Sequence, residues 1–151
     1  MNAINFIERN MTDAEFARMN AGFDEHTIEQ HNPIEISEQH GFVVMDGETF
    51  VGCAGGLCYK SGDVYNNWFT LTDLFIEKPY RGQGLGAAIL AKLEAKIAAL
   101  GVGKVWVWTA GYEAPGFYIK QGYAVACEQE ESYASGHSRV ALRKTLERSA
   151  T

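Results

Sequence analysis

An arginine followed by three alternating glycines is the part of this sequence best suited to chemistry. Arg81 precedes Gly82, Gly84 and Gly86, and a run of alanine, leucine and isoleucine follows them. Alternating glycines let successive backbone N–H groups point into one concavity, where phosphate oxygens bind. A helix that begins there adds the positive end of its dipole. The guanidinium adds a full positive charge and can donate two parallel hydrogen bonds to one phosphate. These residue types at this spacing predict a pyrophosphate-binding loop in front of a helix.

Two other interpretations of this loop are less favoured. The string Gly82-x-Gly84-x-x-Ala87 fits the fingerprint of dinucleotide-binding proteins. However, residues 77–81 separate it from the preceding strand, and no acidic residue lies about 20 positions further on to hold a ribose. A simple helix cap needs one glycine or a serine or aspartate, and it does not need an arginine with three glycines.

Composition limits the class of protein. The chain has 151 residues, of which 46% are hydrophobic and 21% charged, and this predicts one globular domain spanning residues 1–151. The net charge of −6 argues against nucleic acid as a partner and mildly favours a neutral or cationic small molecule. The sequence has no apolar run of membrane-spanning length and no secretion signal, so no membrane association is expected. Three cysteines without a CxxC pair predict free thiols in the cytoplasm.

The first half of the chain is expected to contain hairpins after a helical segment. A strand is predicted at Ile4–Glu8, then a helix from the Thr12 capping box to about Gly22, with a short helix and loop over Phe23–Gln39. The Asp46-Gly47 pair predicts a tight hairpin turn, and a long strand follows at residues 66–76.

The second half of the chain alternates helices with strands. Apolar residues at helical spacing predict a helix from Leu85 that stops at Gly101. The remaining elements are a strand at residues 104–109, a helix from 115 to 122, and closing strands at 123–128 and 139–146. The whole pattern predicts an α/β fold with a mixed sheet of six to seven strands and about four flanking helices.

Two segments together resemble the signatures of the GCN5-related N-acetyltransferases, the GNAT family. Arg81–Gly86, which follows a strand ending at Leu74–Ile76, is similar to the family's acetyl-CoA-binding signature. Phe117–Tyr123 (FYIKQGY) is similar to the family's second signature, in which an aromatic pair precedes a glycine and another aromatic residue. The signatures occur in the right order, and the order of elements extends the resemblance to essentially the whole chain.

Two shorter motifs resemble a bacterial subgroup of that family whose acceptors are mostly unassigned. They are Ala114–Tyr118 (APGFY) and Gly136–Arg139 (GHSR). The subgroup often has glutamine before the Ala-Pro pair, whereas this chain has Glu113. A role for that side chain is therefore left open.

The resemblance implies a fold and a cosubstrate. The strand ending at Ile76 would splay from the strand at Val105, and acetyl-CoA would lie in the V-shaped gap with its pyrophosphate on the glycine loop. The family expectation also includes a homodimer. The implied cofactor-binding residues are Leu74, Phe75, Ile76, Arg81, Gly82, Gln83, Gly84, Leu85, Gly86, Ala87, Phe117 and Tyr118.

Acetyl transfer to an amine sets three chemical requirements. The amine must lose a proton, because an alkylammonium has a pKa of ~10. The oxyanion of the tetrahedral intermediate needs a fixed donor, and the departing thiolate gains from a proton donor. The resemblance makes Tyr118 the candidate proton donor, with core packing as its alternative role, and makes a backbone N–H near Ile76 the oxyanion donor.

Asp73 is the candidate general base. With regular pleating it would share a strand face with Phe69, Leu71 and Phe75. A carboxylate among apolar neighbours is poised to accept a proton. There are two alternatives: Asp73 makes only a structural pairing, or a chain of water molecules serves as the base. Glu77, which is nearer the glycine loop, is expected to be solvated.

The acceptor side is expected to be built from the early helices and a late loop. His31 and Asn32 precede the first hairpin and His137 precedes the last strand, with a surface position as the alternative for each histidine. Trp106 and Trp108 alternate on one strand face, either as core residues or as a stacking wall. The four histidines are scattered and predict no metal site.

The sequence therefore predicts an acetyl-CoA-dependent N-acetyltransferase. The acetyl group would pass to a primary amine of a small-molecule acceptor by direct attack through a tetrahedral intermediate. A non-catalytic acyl-CoA-binding sensor on the same fold is the alternative, and a nicotinamide- or nucleotide-binding module is a third class. The sequence does not identify the acceptor.

Overall fold

A computed structural model describes residues 3–112 and 115–147 of the chain. Within these residues there are six strands, three α-helices and one 3-10 turn, Lys78–Tyr80. The helices are α1 (Asp13–Glu29), α2 (Leu85–Ala99) and α3 (Pro115–Lys120). The strands are β1 (Ile36–Asp46), β2 (Thr49–Ser61), β3 (Val64–Ile76), β4 (Lys104–Ala110), β5 (Ala124–Gln129) and β6 (Arg139–Thr145).

The chain divides into two compact units, one ending at Glu35 and the other beginning at Ile36. The first unit contains α1 and the second contains the sheet with α2 and α3. The assignment of residues 1–151 to a single domain stays a prediction. Among the described residues, no helix combines the length and the apolar character that crossing a membrane would require.

The N-terminal unit differs from the prediction at both ends of α1. The strand predicted at Ile4–Glu8 is wrong, because these residues belong to no strand. The predicted capping box is confirmed: the Glu15 N–H donates to Thr12 Oγ1 at 3.2 Å, and the Thr12 N–H donates to Glu15 Oε1 at 2.9 Å. The helix then continues through Gly22, so the short helix predicted beyond it is the second half of α1. One glycine inside a helix costs only about 1 kcal/mol, which the neighbouring turns offset.

The second unit is built on a mixed sheet with the strand order β1-β2-β3-β4-β6-β5. Neighbouring strands are antiparallel except for β3 and β4, which run parallel with α2 as their crossover. The predicted β1–β2 turn is confirmed, with Gly47 at φ 59° in the left-handed region. The prediction of an α/β fold with a mixed sheet is confirmed, with three helices in the described residues where about four were expected.

The core of the second unit lies between α2 and the middle of the sheet. The apolar positions of α2, predicted from their helical spacing, are buried against inward-facing residues of β3 and β4. On α2 they are Ile89, Leu90, Leu93 and Ile97, and on the strands they are Phe69, Leu71, Val105 and Val107. This packing fixes the beginning of α2 at the end of β3, which is where the glycine loop lies.

Candidate functional site

The parallel strands β3 and β4 pair over only part of their length. Their pairing runs from Trp68 opposite Lys104 to Leu71 opposite Val107 and then stops. Both strands continue, β3 to Ile76 and β4 to Ala110. The expected V-shaped gap is therefore confirmed, and it opens between the carboxyl ends of the two strands.

A bulge in β3 lies at the point where the gap begins. Gly55 of β2 pairs with Asp73, but the next residue of β2 pairs with Leu71, so Thr72 is an extra residue in β3. A bulge shifts the alternation of side chains between the two faces of a strand. As a result Leu74 packs against the core, whereas Asp73 is exposed.

The expectation that Asp73 shares an apolar face with Phe69 and Leu71 is therefore wrong. Those two side chains are 1% and 3% exposed, while Asp73 lies on the other side of the bulged strand. Its Oδ2 accepts a hydrogen bond of 2.8 Å from Thr72 Oγ1. Asp73 is available to solvent and to a bound molecule, and it is not surrounded by apolar neighbours.

The backbone groups at the end of β3 point in alternating directions. The Glu77 N–H donates to the Val51 carbonyl of β2 at 2.7 Å. Because hydrogen-bonded and non-bonded pairs alternate in an antiparallel ladder, the peptide groups of Leu74 and Ile76 face the gap, whereas those of Phe75 face β2. A Cβ added to Gly52 would lie 2.3 Å from the Phe75 carbonyl oxygen, consistent with that direction.

The glycine loop leaves a set of backbone donors without helix partners. Gly82 and Gly84 have φ of 81° and 79°, in the left-handed region where glycine is favoured. Gly84 is the N-cap of α2, and within the described chain no side chain caps that end. The first N–H groups of a helix have no intrahelical acceptor, so those of Leu85 and the two residues after it are open to an anion.

Arg81 connects this loop to the end of β3. Its Nε donates to the Ile76 carbonyl at 2.8 Å. The guanidinium has four further N–H donors on its two terminal nitrogens. The bond holds the positive charge between the loop and the mouth of the gap, where a diphosphate would need it.

The short helix α3 brings two aromatic residues to the same region. A Cβ added to Gly86 would lie 3.6 Å from the Phe117 ring, so this ring borders the glycine loop. Tyr118 is buried, with 6% exposed, and its ring meets the Phe117 ring at 5.2 Å and the Tyr123 ring at 5.4 Å. Tyr118 therefore packs in the core, and its role as proton donor stays a prediction.

A polar network holds α3 against α2 and β6. The Tyr123 hydroxyl donates to Glu94 Oε2 at 2.7 Å, and Lys144 Nζ donates to Glu94 Oε1 at 2.7 Å and to the Gln121 carbonyl at 2.8 Å. Burial and, to a smaller extent, the hydrogen bond to Glu94 raise the pKa of Tyr123 well above its ordinary value. Sequence reasoning did not predict this network, because its members are far apart along the chain.

A cavity of about 470 Å³ lies against the face of β1, β2 and β3 that includes Asp73. Three of its lining residues are glycines, Gly41, Gly55 and Gly56, and the Gly55-Gly56 pair inside β2 is a sequence signal that the site prediction did not include. A Cβ added to Gly56 would lie 2.0 Å from the Thr70 carbonyl oxygen, so only glycine fits there. The lining residues are Gln39, His40, Gly41, Phe42, Val43, Cys53, Ala54, Gly55, Gly56, Leu57, Thr72 and Asp73.

The residues predicted for the acceptor belong to two different units of the chain. His31, at φ 61°, and Asn32 follow α1 in the first unit. His137 lies in the loop before β6, where its Nδ1 is 2.8 Å from Ser135 Oγ and its ring is 4.9 Å from the Tyr112 ring. The described residues that line the cavity include none of these three. Their acceptor roles stay predictions.

The remaining predicted features fall into three groups. Trp106 and Trp108 are half-buried and meet edge to face at 5.8 Å, on the strand face opposite the core valines. The three cysteines are free thiols, as predicted. Glu113 and Ala114 lie outside the described residues, so the structure gives no account of the Ala114–Tyr118 motif at its start.

Comparison with known sequences gives two findings. The profile of a family described as an acetyltransferase (GNAT) domain matches residues 37–125. The chain is also 32% identical over 126 residues to YjcF of Bacillus subtilis (strain 168), named as an uncharacterized N-acetyltransferase. That match covers 82% of this chain and 84% of the relative.

Solved structures with the same fold include two acetyltransferases. An acetyltransferase from Bacillus cereus ATCC 14579 superposes with a TM-score of 0.79 at 22% identity, covering 94% of this chain and 98% of the other. An aminoglycoside 6'-N-acetyltransferase complexed with coenzyme A superposes with a TM-score of 0.62 at 16% identity, covering 91% and 90%. At these sequence identities, the superpositions show only that the chains share a fold.

Proposed function

Because the chain belongs to the GNAT acetyltransferase family, we propose that it transfers an acetyl group from acetyl-CoA to a primary amine of a small-molecule acceptor. Membership of the bacterial subgroup suggested by its two short motifs, a cytoplasmic location and a homodimer are parts of the same proposal. Family membership supports the class of reaction. The role proposed for each residue rests on the structure of this chain.

The observation that carries the proposal is the position of the glycine loop at the mouth of the gap. The loop offers open N–H groups at the start of α2, and Arg81 adds its charge from the end of β3. A diphosphate bound there would direct its pantetheine arm into the opening between β3 and β4. The coenzyme A complex of the aminoglycoside 6'-N-acetyltransferase, which has the same fold, supports this use of the site.

The end of β3 would bind the pantetheine arm and the thioester. The peptide groups of Leu74 and Ile76 face the gap and can pair with the amides of pantetheine, whereas those of Phe75 are turned to β2. The Ile76 N–H is the proposed donor to the oxyanion of the tetrahedral intermediate, because a fixed backbone donor stabilises charge that develops there. The Ile76 carbonyl is already bonded to Arg81.

Tyr118 is the proposed proton donor to the departing thiolate. It belongs to α3, whose neighbour Phe117 borders the glycine loop, so the helix lies on the cofactor side of the site. The network of Tyr123, Glu94 and Lys144 holds that helix against the sheet. A phenol fixed in this way can protonate the sulfur as the C–S bond breaks.

The cavity beside Asp73 is the proposed entry of the acceptor amine. The exposed carboxylate can attract the ammonium form of an amine and accept its proton, directly or through water. The overall charge of −6 also favours a cationic acceptor. The aminoglycoside 6'-N-acetyltransferase, by its name, acts on a small-molecule amine, and His31, Asn32 and His137 remain proposed acceptor contacts.

Calorimetry tests binding of acetyl-CoA first, and a turnover assay then tests the transfer reaction. Acetyl-CoA titrated into the purified chain should release or absorb heat with one-site stoichiometry, while NAD should give no signal. Release of free thiol from acetyl-CoA in the presence of a panel of primary amines should then identify accepted substrates. Binding without turnover for any amine would favour the acyl-CoA sensor, and NAD binding in place of acetyl-CoA would make the assignment of the loop wrong.

A further inference from the structure

Three metal-ligand side chains converge at the far end of the β1–β2 hairpin. They are Glu38, His40 and Cys58, and their donor atoms lie within 4.8 Å of one another. Cys58 is fully buried, and the His40 side chain is 11% exposed. Cys58 belongs to the buried core and does not line the cavity beside Asp73, but His40 is one of the lining residues of that cavity, so the cluster adjoins the proposed acceptor site.

The register of the hairpin brings these side chains together. Glu38 and Cys58 are direct cross-strand partners, and His40 lies two residues along β1 on the same face. The partner of His40 is Gly56, where the close approach of β3 excludes a side chain. The imidazole therefore lies against Glu38, with His40 Nε2 at 2.5 Å from Glu38 Oε1.

Two further residues hold the carboxylate in place. Lys60 Nζ lies 2.6 Å from Glu38 Oε2, and the Tyr65 hydroxyl donates to Glu38 Oε1 at 2.7 Å. Carboxylates that bind metals are themselves hydrogen-bonded in this way, and such outer contacts orient the ligand. The Oε1 atom that accepts from Tyr65 also faces His40 Nε2, and the Cys58 thiol donates to the Glu38 backbone carbonyl at 3.8 Å.

We propose that Glu38 Oε1, His40 Nε2 and Cys58 Sγ bind one Zn²⁺ ion, with a water molecule as the fourth ligand. Thiolate, imidazole and carboxylate are the ligands that zinc takes in proteins. Thiolate and imidazole together favour zinc over magnesium or calcium, which take oxygen ligands.

Binding of the ion would require His40 Nε2 and Glu38 Oε1, which lie 2.5 Å apart, to separate by about 1 Å. Ligand atoms of a tetrahedral zinc site lie roughly 3.5 Å apart at the usual metal–ligand distances. The ion would take the place of the proton between His40 and Glu38, with the neutral imidazole carrying its proton on Nδ1. The Cys58 thiol would lose its proton to solvent, and β1 and β2 would become cross-linked.

Cobalt substitution tests the site on the full chain. After EDTA treatment and desalting, Co²⁺ should produce a near-ultraviolet thiolate-to-cobalt band that saturates at one ion per chain, and excess Zn²⁺ should abolish it. Cys58→Ser should remove the band, while Cys53→Ser, on the same strand, and Cys127→Ser, on β5, should keep it. Tyr65→Phe should weaken zinc binding by about 10–100-fold, as expected for an outer contact of a ligand.

Several outcomes would overturn the zinc site. One is the absence of a cobalt band in the unmodified chain together with less than one bound zinc by elemental analysis. Another is a band that persists in Cys58→Ser, which would assign the binding to another thiol. If Cys58→Ser fails to fold, His40→Gln replaces it, and unchanged zinc affinity in that variant would contradict the proposal.

Discussion

Leu71 and Val107 are the last residues that pair β3 with β4, and the extra residue Thr72 follows Leu71 directly. The bulge therefore coincides with the opening of the gap between the two strands. It turns Asp73 to the exposed face and leaves the peptide groups of Ile76 directed into the gap. One inserted residue thus separates the proposed acceptor side from the proposed cofactor side of the same strand.

Gly84→Val should abolish binding of coenzyme A. A β-branched residue is strained at the φ of 79° that Gly84 adopts, and its side chain would cover the open N–H groups of α2. Isothermal titration calorimetry measures the loss. Gly62→Val is the matched control, because Gly62 has a φ of 61° in the turn after β2, so it introduces comparable strain away from the loop and should keep the affinity.

Arg81→Ala should weaken coenzyme A binding by roughly tenfold or more, because a charge-assisted hydrogen bond to phosphate is lost. The difference from the unmodified chain should shrink as salt is added, since salt screens exposed charges. Affinities measured by calorimetry at low and high salt check this. Arg143→Ala, which removes an exposed cation of β6, should have little effect; equal losses in both variants would point to net charge and not to a contact.

Tyr118→Phe should lower kcat by roughly 10²–10⁴-fold, the usual contribution of a general acid. The affinity for coenzyme A should change little, since the ring and its packing against Tyr123 are retained. Steady-state thiol release and calorimetry measure the two quantities. Tyr133→Phe, in the loop before β6, serves as the control, and a parallel fall in both quantities for Tyr118→Phe would assign it a structural role.

Asp73→Asn should lower kcat/KM for the amine by ~10²-fold while leaving coenzyme A binding intact, because the amide accepts no proton. Asp63→Asn removes an exposed carboxylate from the β2–β3 turn and should be neutral. Unchanged kinetics in Asp73→Asn would show that the amine loses its proton to water or to another group.

Tyr123→Phe should remove a pH dependence of stability in alkaline solution. The pKa of Tyr123 is raised in the folded chain, chiefly by burial, so the unfolded chain releases this proton at lower pH than the folded one. The stabilisation is complete below about pH 10, the ordinary tyrosine pKa, and is lost as pH rises further. Melting temperatures of both proteins between pH 8 and 11 measure this: the unmodified chain should lose stability faster than Tyr123→Phe. Parallel curves would contradict the raised pKa.

Local signals in the sequence predicted most of the elements. The Thr12 capping box, the Asp46-Gly47 turn and the apolar spacing after Leu85 each depend on residues close along the chain, and each was confirmed. The glycine loop also has the backbone that its sequence predicted, with Gly82 and Gly84 in the left-handed region. Its binding of acetyl-CoA is the part that experiment must test.

Features that depend on pairing between strands were harder to predict. Regular pleating was assumed at Asp73, and the bulge at Thr72 arises from the register between β2 and β3. In the same way, the scattered histidines led to the prediction of no metal site, although the hairpin places His40 beside Glu38 and Cys58. Ile4–Glu8 alternates like a strand but has no neighbouring strand to pair with in the described residues.

The proposed binding of the acyl carrier by backbone N–H groups determines which substitutions the loop can accept. Every amino acid except proline carries a backbone N–H, so other substitutions at Gln83 or Leu85 alter the rim of the loop without removing the donors themselves. Only the left-handed positions, Gly82 and Gly84, are tied to one residue type. The cavity around Asp73 is lined in part by side chains, so the proposed acceptor site can diversify towards new amines while the proposed backbone contacts to the acyl carrier stay the same.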